Sequence, residues 1–475
     1  MPHTLRAIAM SICIYGLPLA TCPADEEPAR DAPRVSFYRD VRPVFQVHCH
    51  GCHQPAKRSG EYVMTSFAQL VGSGESGEPT VVAGDPAASY LLAMIRVEDG
   101  EALMPQDAKP LPAPEFKVIE AWIAAGAVDD TPQSARRQYT QEQPPIYVAP
   151  AVITSLAYSP DGQLLAVSGY HEVILHDAKG AGIVARLVGM SERIESAVFS
   201  PNGKRLAVTG GSPARMGEVQ IWDVEARELI RSLTVGYDTI YGASWSHDGK
   251  LLSFGCPDNT IRAIDAETGE QVLFNGAHSD WVLDTVFSVK SDHLVTVSRD
   301  MAMKLVNVPT QRFIDNITSI TPGALKGGLH AVDRHPQKEE VLIGGADGAP
   351  KIYKMFRDKA RTIGDDFNLI RAFPAMPGRV FDVAYSADGQ QIVAGSSFNR
   401  TGEVRVYNTA DGKLLVKVEV SDGGIYAVAF HPDGKHVAAG GFDGQLRLID
   451  AQTGEVVQRF YPVELQREVV AAAEE

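Results

Sequence analysis

The sequence predicts a multidomain protein in which a small all-α domain precedes an all-β seven-bladed propeller. Helical periodicity marks two segments before residue 130, and a polar segment follows them. A short turn motif then recurs seven times at intervals of 41 to 51 residues, which is the period of a propeller blade. With 475 residues and 44% apolar side chains, the chain is long enough to form both units.

The first residues have the layout of an export signal. Arg6 precedes an apolar run over residues 7–20, and small residues follow it around Cys22. We therefore predict a signal peptide over residues 1–24 and an exported protein in a periplasmic or other extracytoplasmic location. A lipid anchor at Cys22 is the less favoured alternative, because Thr21 is atypical of a lipoprotein box.

The remaining boundaries follow from composition and periodicity. Residues 25–130 are predicted to form the helical domain, and residues 131–145, rich in Pro and Gln, a linker. Residues 146–463 are predicted to form the propeller, and residues 464–475 a C-terminal tail.

Charge and cysteine content exclude two classes of protein. The formal net charge of −15 makes nucleic acid a poor partner. Beyond the predicted signal peptide the cysteines are Cys49, Cys52 and Cys256. One close pair and one distant thiol do not make a disulfide scaffold.

The segment from Cys49 to His53 is a C-x-x-C-H motif. This spacing is typical of one covalently attached c-type haem, with both thiols on the porphyrin and the histidine as proximal iron ligand. A zinc site and a redox dithiol are less favoured, because Cys256 is far away in sequence and the flanks show no βαβ pattern. We expect His48 and His50 at the surface, near the edge of the haem.

Met104 is the predicted distal iron ligand. It lies in a loop before Pro105, where no helix or strand pattern requires its side chain for packing. Met64 and Met94 lie in apolar stretches and are predicted to belong to the core.

Two helices are predicted around the motif. One begins near Pro43 and runs through Phe45 into the cysteine pair, and the other begins at Pro114 and ends at Gly126. Their apolar faces are expected to pack together.

Several separated segments carry a family resemblance. FYRDVRPVFQVHCHGCH, VAGDPAASYLL, the Met-Pro pair and EAWIAAGA resemble the planctomycete-type cytochrome c domain over about residues 37–128. The resemblance implies one haem c attached to Cys49 and Cys52, with His53 and Met104 as its axial ligands.

The second half of the chain is a repeat array. The turn motif begins with Ser or His, as in SPDG, and an alternating apolar strand precedes each copy; the first residues of the copies are Ser159, Ser200, Ser246, Ser288, His335, Ser386 and His431. These units resemble WD40 repeats over about residues 146–463, although only Trp222-Asp223 spells the full dipeptide. The resemblance implies a degenerate WD40-like propeller.

The hydrogen-bonded tetrad of that family is incomplete here. Unit 4 has His278 and Asp300 but Val306 in place of the tryptophan. The turn aspartates Asp258, Asp347 and Asp443 are expected to be structural. None of the nine propeller histidines forms an H-x-H or H-x-x-x-H pair, so the spacing predicts no metal site among them.

These features together predict an exported electron carrier that passes electrons to a redox partner protein, rather than an enzyme. A two-cofactor enzyme resembling cytochrome cd1 nitrite reductase, and a haem-based sensor or scaffold, are the alternatives. Longer turns that contain Arg215 and Arg400 are predicted to lie on one face of the propeller, where they are either neutral surface insertions or docking sites for a partner.

Overall fold

A computed structural model describes residues 35–54, 57–106, 108–132, 139–180, 182–321, 326–362 and 364–466. The predicted signal peptide, including Cys22, lies outside the described residues. Within these ranges, no helix combines the length and the apolar character needed to cross a membrane.

Short helices and turns make up the N-terminal part of the fold. They are the helices α1 Arg42–His48, α2 Phe67–Leu70, α3 Tyr90–Ile95 and α4 Ala113–Ala124, a π-helical turn Phe37–Val41, a 3-10 turn Ser59–Glu61, and the paired strands β1 His53–Gln54 and β2 Lys57–Arg58.

Both predicted helices form, and their apolar faces pack together as predicted. A proline lies in the first turn of α1 and of α4. Backbone N–H groups in the first turn of a helix make no hydrogen bond within the helix, so proline, which lacks this group, costs no hydrogen bond there. The chain reverses direction after α4 at Gly126, whose φ of 100° is a conformation that glycine adopts without the steric strain of other residues. Phe45 from α1 and Ile119 and Trp122 from α4 are buried in one core.

Strands dominate the rest of the chain. They are β3 Leu156–Tyr158, β4 Leu164–Ser168, β5 Tyr170–Asp177, β6 Ile183–Phe199, β7 Arg205–Ser212, β8 Met216–Asp223, β9 Glu228–Thr234, β10 Ala243–Trp245, β11 Leu251–Gly255, β12 Ile261–Asp265, β13 Gln271–Asn275, β14 Val282–Phe287, β15 His293–Ser298, β16 Met303–Asn307, β17 Arg312–Asn316, β18 Leu329–Arg334, β19 Glu340–Gly345, β20 Lys351–Lys354, β21 Leu369–Ala372, β22 Arg379–Tyr385, β23 Gln391–Phe398, β24 Thr401–Asn408, β25 Leu414–Val420, β26 Ile425–Phe430, β27 His436–Gly441, β28 Leu446–Asp450 and β29 Val456–Phe460.

These strands form antiparallel sheets in chain order, giving a mostly β, propeller-like fold. The strands from β10 to β29 make five four-stranded sheets, whereas β3 to β9 make one sheet of seven strands. This differs from seven separate sheets because β6 continues without a break. Its residues 183–188 pair with β5, and its residues 193–199 pair with β7. We number the four-strand repeats units 1 to 7, with β6 shared by units 1 and 2.

The first strand of every unit lines a central cavity of about 1240 Å³. Side chains link neighbouring first strands across it. Ser155 Oγ accepts from the amide of Ala197 in unit 2 at 2.9 Å, and Asp284 Oδ2 accepts from the amide of Val332 in unit 5 at 2.9 Å. The first strands therefore form a hydrogen-bonded wall around the cavity.

Unit 7 contacts unit 1. The amide of Ile153 donates to the carbonyl of Gly441 at 3.0 Å, and Ile153 shares a core with Ala438 and Leu448. On the opposite side of the sheets, His431 Nε2 lies 3.1 Å from the carbonyl oxygen of Gly162. The last repeat is thus held to the first by backbone, side-chain and apolar contacts.

Candidate functional site

The C-x-x-C-H loop follows α1 directly. Its backbone is wound tightly, because the amides of Cys52 and His53 both donate to the carbonyl of Cys49, at 3.1 and 3.0 Å. The two thiols have different environments. Cys49 is buried in the helical core, where burial and the nearby Cys52 raise its pKa to about 12, and Cys52 is exposed.

The three histidines of the loop also differ. Burial lowers the pKa of the half-buried His53, whose Nδ1 lies 3.3 Å from the carbonyl oxygen of Tyr62. His50 is buried, and burial together with the charge of Arg42 lowers its pKa to about 3. The expectation that His50 is a surface residue is therefore wrong. His48 lies 2.8 Å from Glu115 on α4.

Met104 is partly buried and packs against the helical core that also contains Cys49. Its amide donates to the carbonyl of Met94 at 2.8 Å. Met64 is buried in that core, as predicted, and Met94 is half-buried. The assignment of Cys49, Cys52, His53 and Met104 as one ligand set stays a prediction from the sequence.

The loop is docked on unit 2. Thr234 on β9 donates through Oγ1 to the carbonyl of Gln46 at 2.7 Å, and Lys57 Nζ donates to the carbonyl of Ile230 at 2.9 Å. A β-carbon at Gly51 would lie 2.5 Å from the carbonyl oxygen of Ser232. The middle of the C-x-x-C-H motif thus packs directly on an outer strand of the sheet.

The neighbouring strand β8 carries a buried polar network. Glu218 is fully buried and accepts hydrogen bonds from Ser191 and Gln220 at 2.6 and 2.7 Å and from Ser232 at 2.5 Å. Gln220 in turn accepts from the indole of Trp222 at 2.7 Å. Burial raises the pKa of Glu218, and these three donors partly offset that effect.

Unit 4 contains the predicted His278 and Asp300 in contact. His278 Nδ1 lies 2.9 Å from Asp300 Oδ2, and its Nε2 lies 2.8 Å from Thr296 Oγ1. Burial alone would raise the pKa of Asp300, but the hydrogen bond and charge of His278 hold it well below the usual value. Val306 fills the remaining position with a buried apolar side chain.

Three carboxylates on the cavity wall were not predicted. Each accepts two backbone amides, and burial raises the pKa of each, that of Asp382 to about 7; they are Asp284, Asp333 and Asp382. A signal was present in the sequence, because Ser or Asp recurs four residues before the turn motif in several units; these residues are Ser155, Ser196, Asp284 and Asp382.

The turns between the second and third strands of the units lie together, since antiparallel sheets of the same topology place equivalent turns on the same side. We call this surface the hairpin face. It contains four exposed large apolar side chains, each between 44% and 54% exposed; these are Tyr170, Met301, Phe398 and Phe442. Exposed apolar side chains on one face of a protein mark that face as a candidate interaction surface.

Charged residues on the hairpin face fall into two groups. Each turn aspartate forms an ion pair with a basic residue four positions further along the chain. Asp258 lies 2.6 Å from Arg262, and the other pairs are Asp347 with Lys351 and Asp443 with Arg447. Arg215 lies 3.2 Å from Glu192, and its hairpin neighbour Met216 accepts from Gln46 of α1. Arg400 is exposed at the tip of its turn.

Comparison with known protein families gives two matches. Residues 49–107 match the family described as Planctomycete cytochrome C. Residues 145–177, 227–265 and 412–450 match the WD domain, G-beta repeat.

Curated proteins similar to this chain include subunit I of eukaryotic translation initiation factor 3. The protein of that name from Aspergillus oryzae is 24% identical over 307 residues, covering 62% of this chain and 78% of its own length. The one from Kluyveromyces lactis is 24% identical over 280 residues, 56% of this chain and 67% of its own length. Periodic tryptophan protein 2 of Arabidopsis thaliana is 23% identical over 279 residues, 58% of this chain and 29% of its own length.

These relatives correct the predicted function. They are named as translation initiation factor subunits and a periodic tryptophan protein, not as cytochromes. The predictions of an exported electron carrier, a covalent haem c, a redox partner and a periplasmic location are therefore wrong. The alternatives of a two-haem enzyme and a haem sensor fail with them.

The structure indicates why the motif is a weak guide by itself. A group attached through both thiols must reach both, and Cys49 is enclosed in the helical core. Gly51, between the two cysteines, is required by the close approach to Ser232. The chain thus has WD40 repeats in a propeller-like β fold and, near its N-terminus, a segment similar to the Planctomycete cytochrome C family.

Proposed function

We propose that this protein is a protein-interaction scaffold that binds partner proteins through the hairpin face. The observation that carries the proposal is the set of exposed Tyr170, Met301, Phe398 and Phe442 on turns of a repeat fold that holds them rigidly. Aromatic and methionine side chains are enriched at the centres of protein interfaces.

The architecture that presents this face is, in our proposal, a closed ring of seven blades. Support comes from the cavity lined by the first strands of all seven units and from the contacts of unit 7 with unit 1, such as the bond from Ile153 to Gly441. Residues 146–463 would form this ring, and the helical domain within residues 25–130 would sit at the rim of blade 2, joined through the linker 131–145.

The partner surface is expected to be apolar with acidic residues at its edge. Arg215, Arg299 and Arg400 lie in the hairpins of units 2, 4 and 6, and the hairpins of units 4 and 6 also carry Met301 and Phe398. Charges at the rim of an interface mainly steer association and fix orientation, while the apolar centre supplies affinity. The names of the relatives, which are subunits, support a role within a larger assembly.

The test uses the full-length chain as bait in the cells that produce it. Phe398→Ser combined with Phe442→Ser should abolish recovery of the proteins that co-purify with the wild type, as quantified by mass spectrometry. Phe313→Ser combined with Val457→Ser is the matched control, because both side chains are exposed near those ends of the outer strands β17 and β29 that are remote from the hairpin face.

The control double variant should keep wild-type recovery, and both double variants should melt close to the wild type. The proposal fails if the hairpin-face variant recovers the same proteins as the wild type, or if the wild type reproducibly recovers none.

A further inference from the structure

The turn between β26 and β27 in unit 7 has the sequence HPDGKH and brings together two histidines and an aspartate. His431 Nδ1 lies 3.0 Å from Asp433 Oδ1, and His436 Nδ1 lies 2.9 Å from Asp433 Oδ2. One ligand-type atom from each of the three residues lies within 4.8 Å of the others. The two histidines are five residues apart, which is neither an H-x-H nor an H-x-x-x-H spacing.

The proton positions on His431 follow from its partners. Its Nε2 is 3.1 Å from the carbonyl oxygen of Gly162, and since a carbonyl only accepts, Nε2 must carry a hydrogen. The amide of Asp433 donates to Nδ1 at 3.1 Å, which requires a lone pair there. Nδ1 therefore faces the carboxylate oxygen of Asp433 at 3.0 Å with no hydrogen between two electron-rich atoms.

A cation at Nδ1 would displace the Asp433 amide from the lone pair that now accepts it, and would also be attracted to the carboxylate oxygen of Asp433. Imidazole nitrogen and carboxylate oxygen are ligands that Zn²⁺ and related divalent ions accept together. A tetrahedral ion with bonds of about 2.0–2.1 Å holds its ligand atoms about 3.3 Å apart, so the three atoms, now within 4.8 Å of one another, would move closer together on binding. The three side chains are between 21% and 42% exposed, which leaves a position for water and a path for the ion.

The cluster is specific to unit 7 among the seven turn motifs. Most of the other units have serine at the first position, and in unit 1 Ser159 instead accepts from the amide of Leu164 at 2.9 Å. In unit 5, His335 Nδ1 also accepts a backbone amide, from Gln337 at 3.1 Å, but no aspartate follows at the third position. Only unit 7 combines histidine, aspartate and a second histidine.

We propose that His431, Asp433 and His436 bind a divalent transition-metal ion of the Zn²⁺ type, and that the ion stabilises the contact between unit 7 and unit 1. The second part follows because His431 is also hydrogen-bonded to Gly162 of unit 1 and packs edge-on against Tyr158, with ring centroids 4.9 Å apart. Fixing its imidazole from the other side restrains both units. The inference is independent of partner binding at the hairpin face.

The test measures binding of Co²⁺ and Zn²⁺ to the metal-free full-length protein. Wild type should bind Co²⁺ with visible absorption bands that Zn²⁺ removes, and Zn²⁺ should raise its melting temperature. Asp433→Asn and His436→Gln should each weaken binding at least tenfold and abolish the melting shift, since ligand loss exceeds the tenfold effect of an outer-shell change. Asp433→Asn keeps an oxygen for the amide of Lys435 and so preserves the turn.

His247→Gln is the matched control, because His247 is exposed in the equivalent turn of unit 3. It should bind metal as the wild type does. Equal binding by wild type and both unit 7 variants would overturn the proposal, as would absence of binding to the wild type, and the cluster would then be a hydrogen-bonded His-Asp-His group only.

Discussion

Gly51 and Ser232 are packed so closely that a β-carbon on Gly51 would lie 2.5 Å from the carbonyl oxygen of Ser232. These residues are far apart in the chain, one in the C-x-x-C-H loop and the other on β9. Ser232 also donates through Oγ to the buried Glu218 at 2.5 Å. The helical domain is thus docked at a point where β9 is held to its neighbour β8 by a buried side-chain hydrogen bond.

Gly51→Ala should loosen this docking. A methyl group cannot fit against the Ser232 carbonyl unless the loop moves, and overpacking of this kind costs about 1–3 kcal/mol. Hydrogen exchange should increase in α1 and in β9, while the sheets of units 4 to 6 stay protected. Gly276→Ala is the control, because nothing lies within 4 Å of its β-carbon position. Unchanged exchange in α1 would mean that the contact is not tight.

Asp300→Ala tests the buried pair of unit 4. His278 and Asp300 are almost fully enclosed, so removing the carboxylate leaves His278 Nδ1 and the amides of Ser279 and Ala302 without their acceptor. We expect a loss of about 3 kcal/mol in the free energy of unfolding, measured by urea denaturation.

Asp292→Ala is the matched control for burial. Asp292 and His293 are also 2.9 Å apart, but the carboxylate is about half exposed. The expected loss is below about 1 kcal/mol. If Asp300→Ala and Asp292→Ala lose the same free energy of unfolding, burial does not determine how much a His-Asp pair contributes to stability.

The Asp382 carboxyl should make stability depend on pH. Burial raises its pKa to about 7 from 3.8, so the folded protein favours the neutral acid. Its contribution to stability is therefore complete below the unfolded value and is lost as the pH rises through about 7. Asp382→Asn cannot titrate, so the stability of the wild type relative to this variant should fall by on the order of 4 kcal/mol between about pH 4 and about pH 8.

Urea denaturation at several pH values measures this difference. Asp422→Asn is the control, because Asp422 is exposed in a connecting turn. A wild-type minus Asp382→Asn difference that stays constant with pH would show that the carboxyl does not change its charge on folding.

Local patterns in the sequence predicted local structure well. The prolines near the starts of α1 and α4, and the turn motifs from Ser159 to His431, determine backbone geometry within a few residues, and the structure has helices and hairpins there. The continuity of β6 was not predictable, because it depends on pairing with two different neighbours, β5 and β7.

Contacts between distant segments could not be obtained from spacing. Nothing near Gln46 indicates that Thr234 binds its carbonyl, and nothing near His50 indicates that this side chain is buried. The C-x-x-C-H motif failed as a guide to function for a related reason, since a five-residue pattern describes the loop and not its surroundings. The His431, Asp433 and His436 cluster gives no signal in the sequence, because its histidines have neither an H-x-H nor an H-x-x-x-H spacing.

The last prediction concerns the two arginines of the longer hairpins. Arg215 and Glu192 form an exposed pair, and Arg400 lies at the tip of a turn, so Arg215→Ala combined with Arg400→Ala should change stability by less than about 1 kcal/mol. If acidic residues of a partner meet this face, the double variant should bind the captured partner more weakly at low salt and like the wild type at high salt.

Surface plasmon resonance with the captured partner at several salt concentrations measures the effect, which should lie mainly in the association rate. Arg312→Ala combined with Arg459→Ala is the matched control, because it removes the same charge from exposed positions on the outer strands β17 and β29. If both double variants lose the same salt-dependent affinity, net charge is responsible rather than the hairpin face. Unchanged binding by the hairpin variant would limit the interface to the apolar side chains near Phe398 and Phe442.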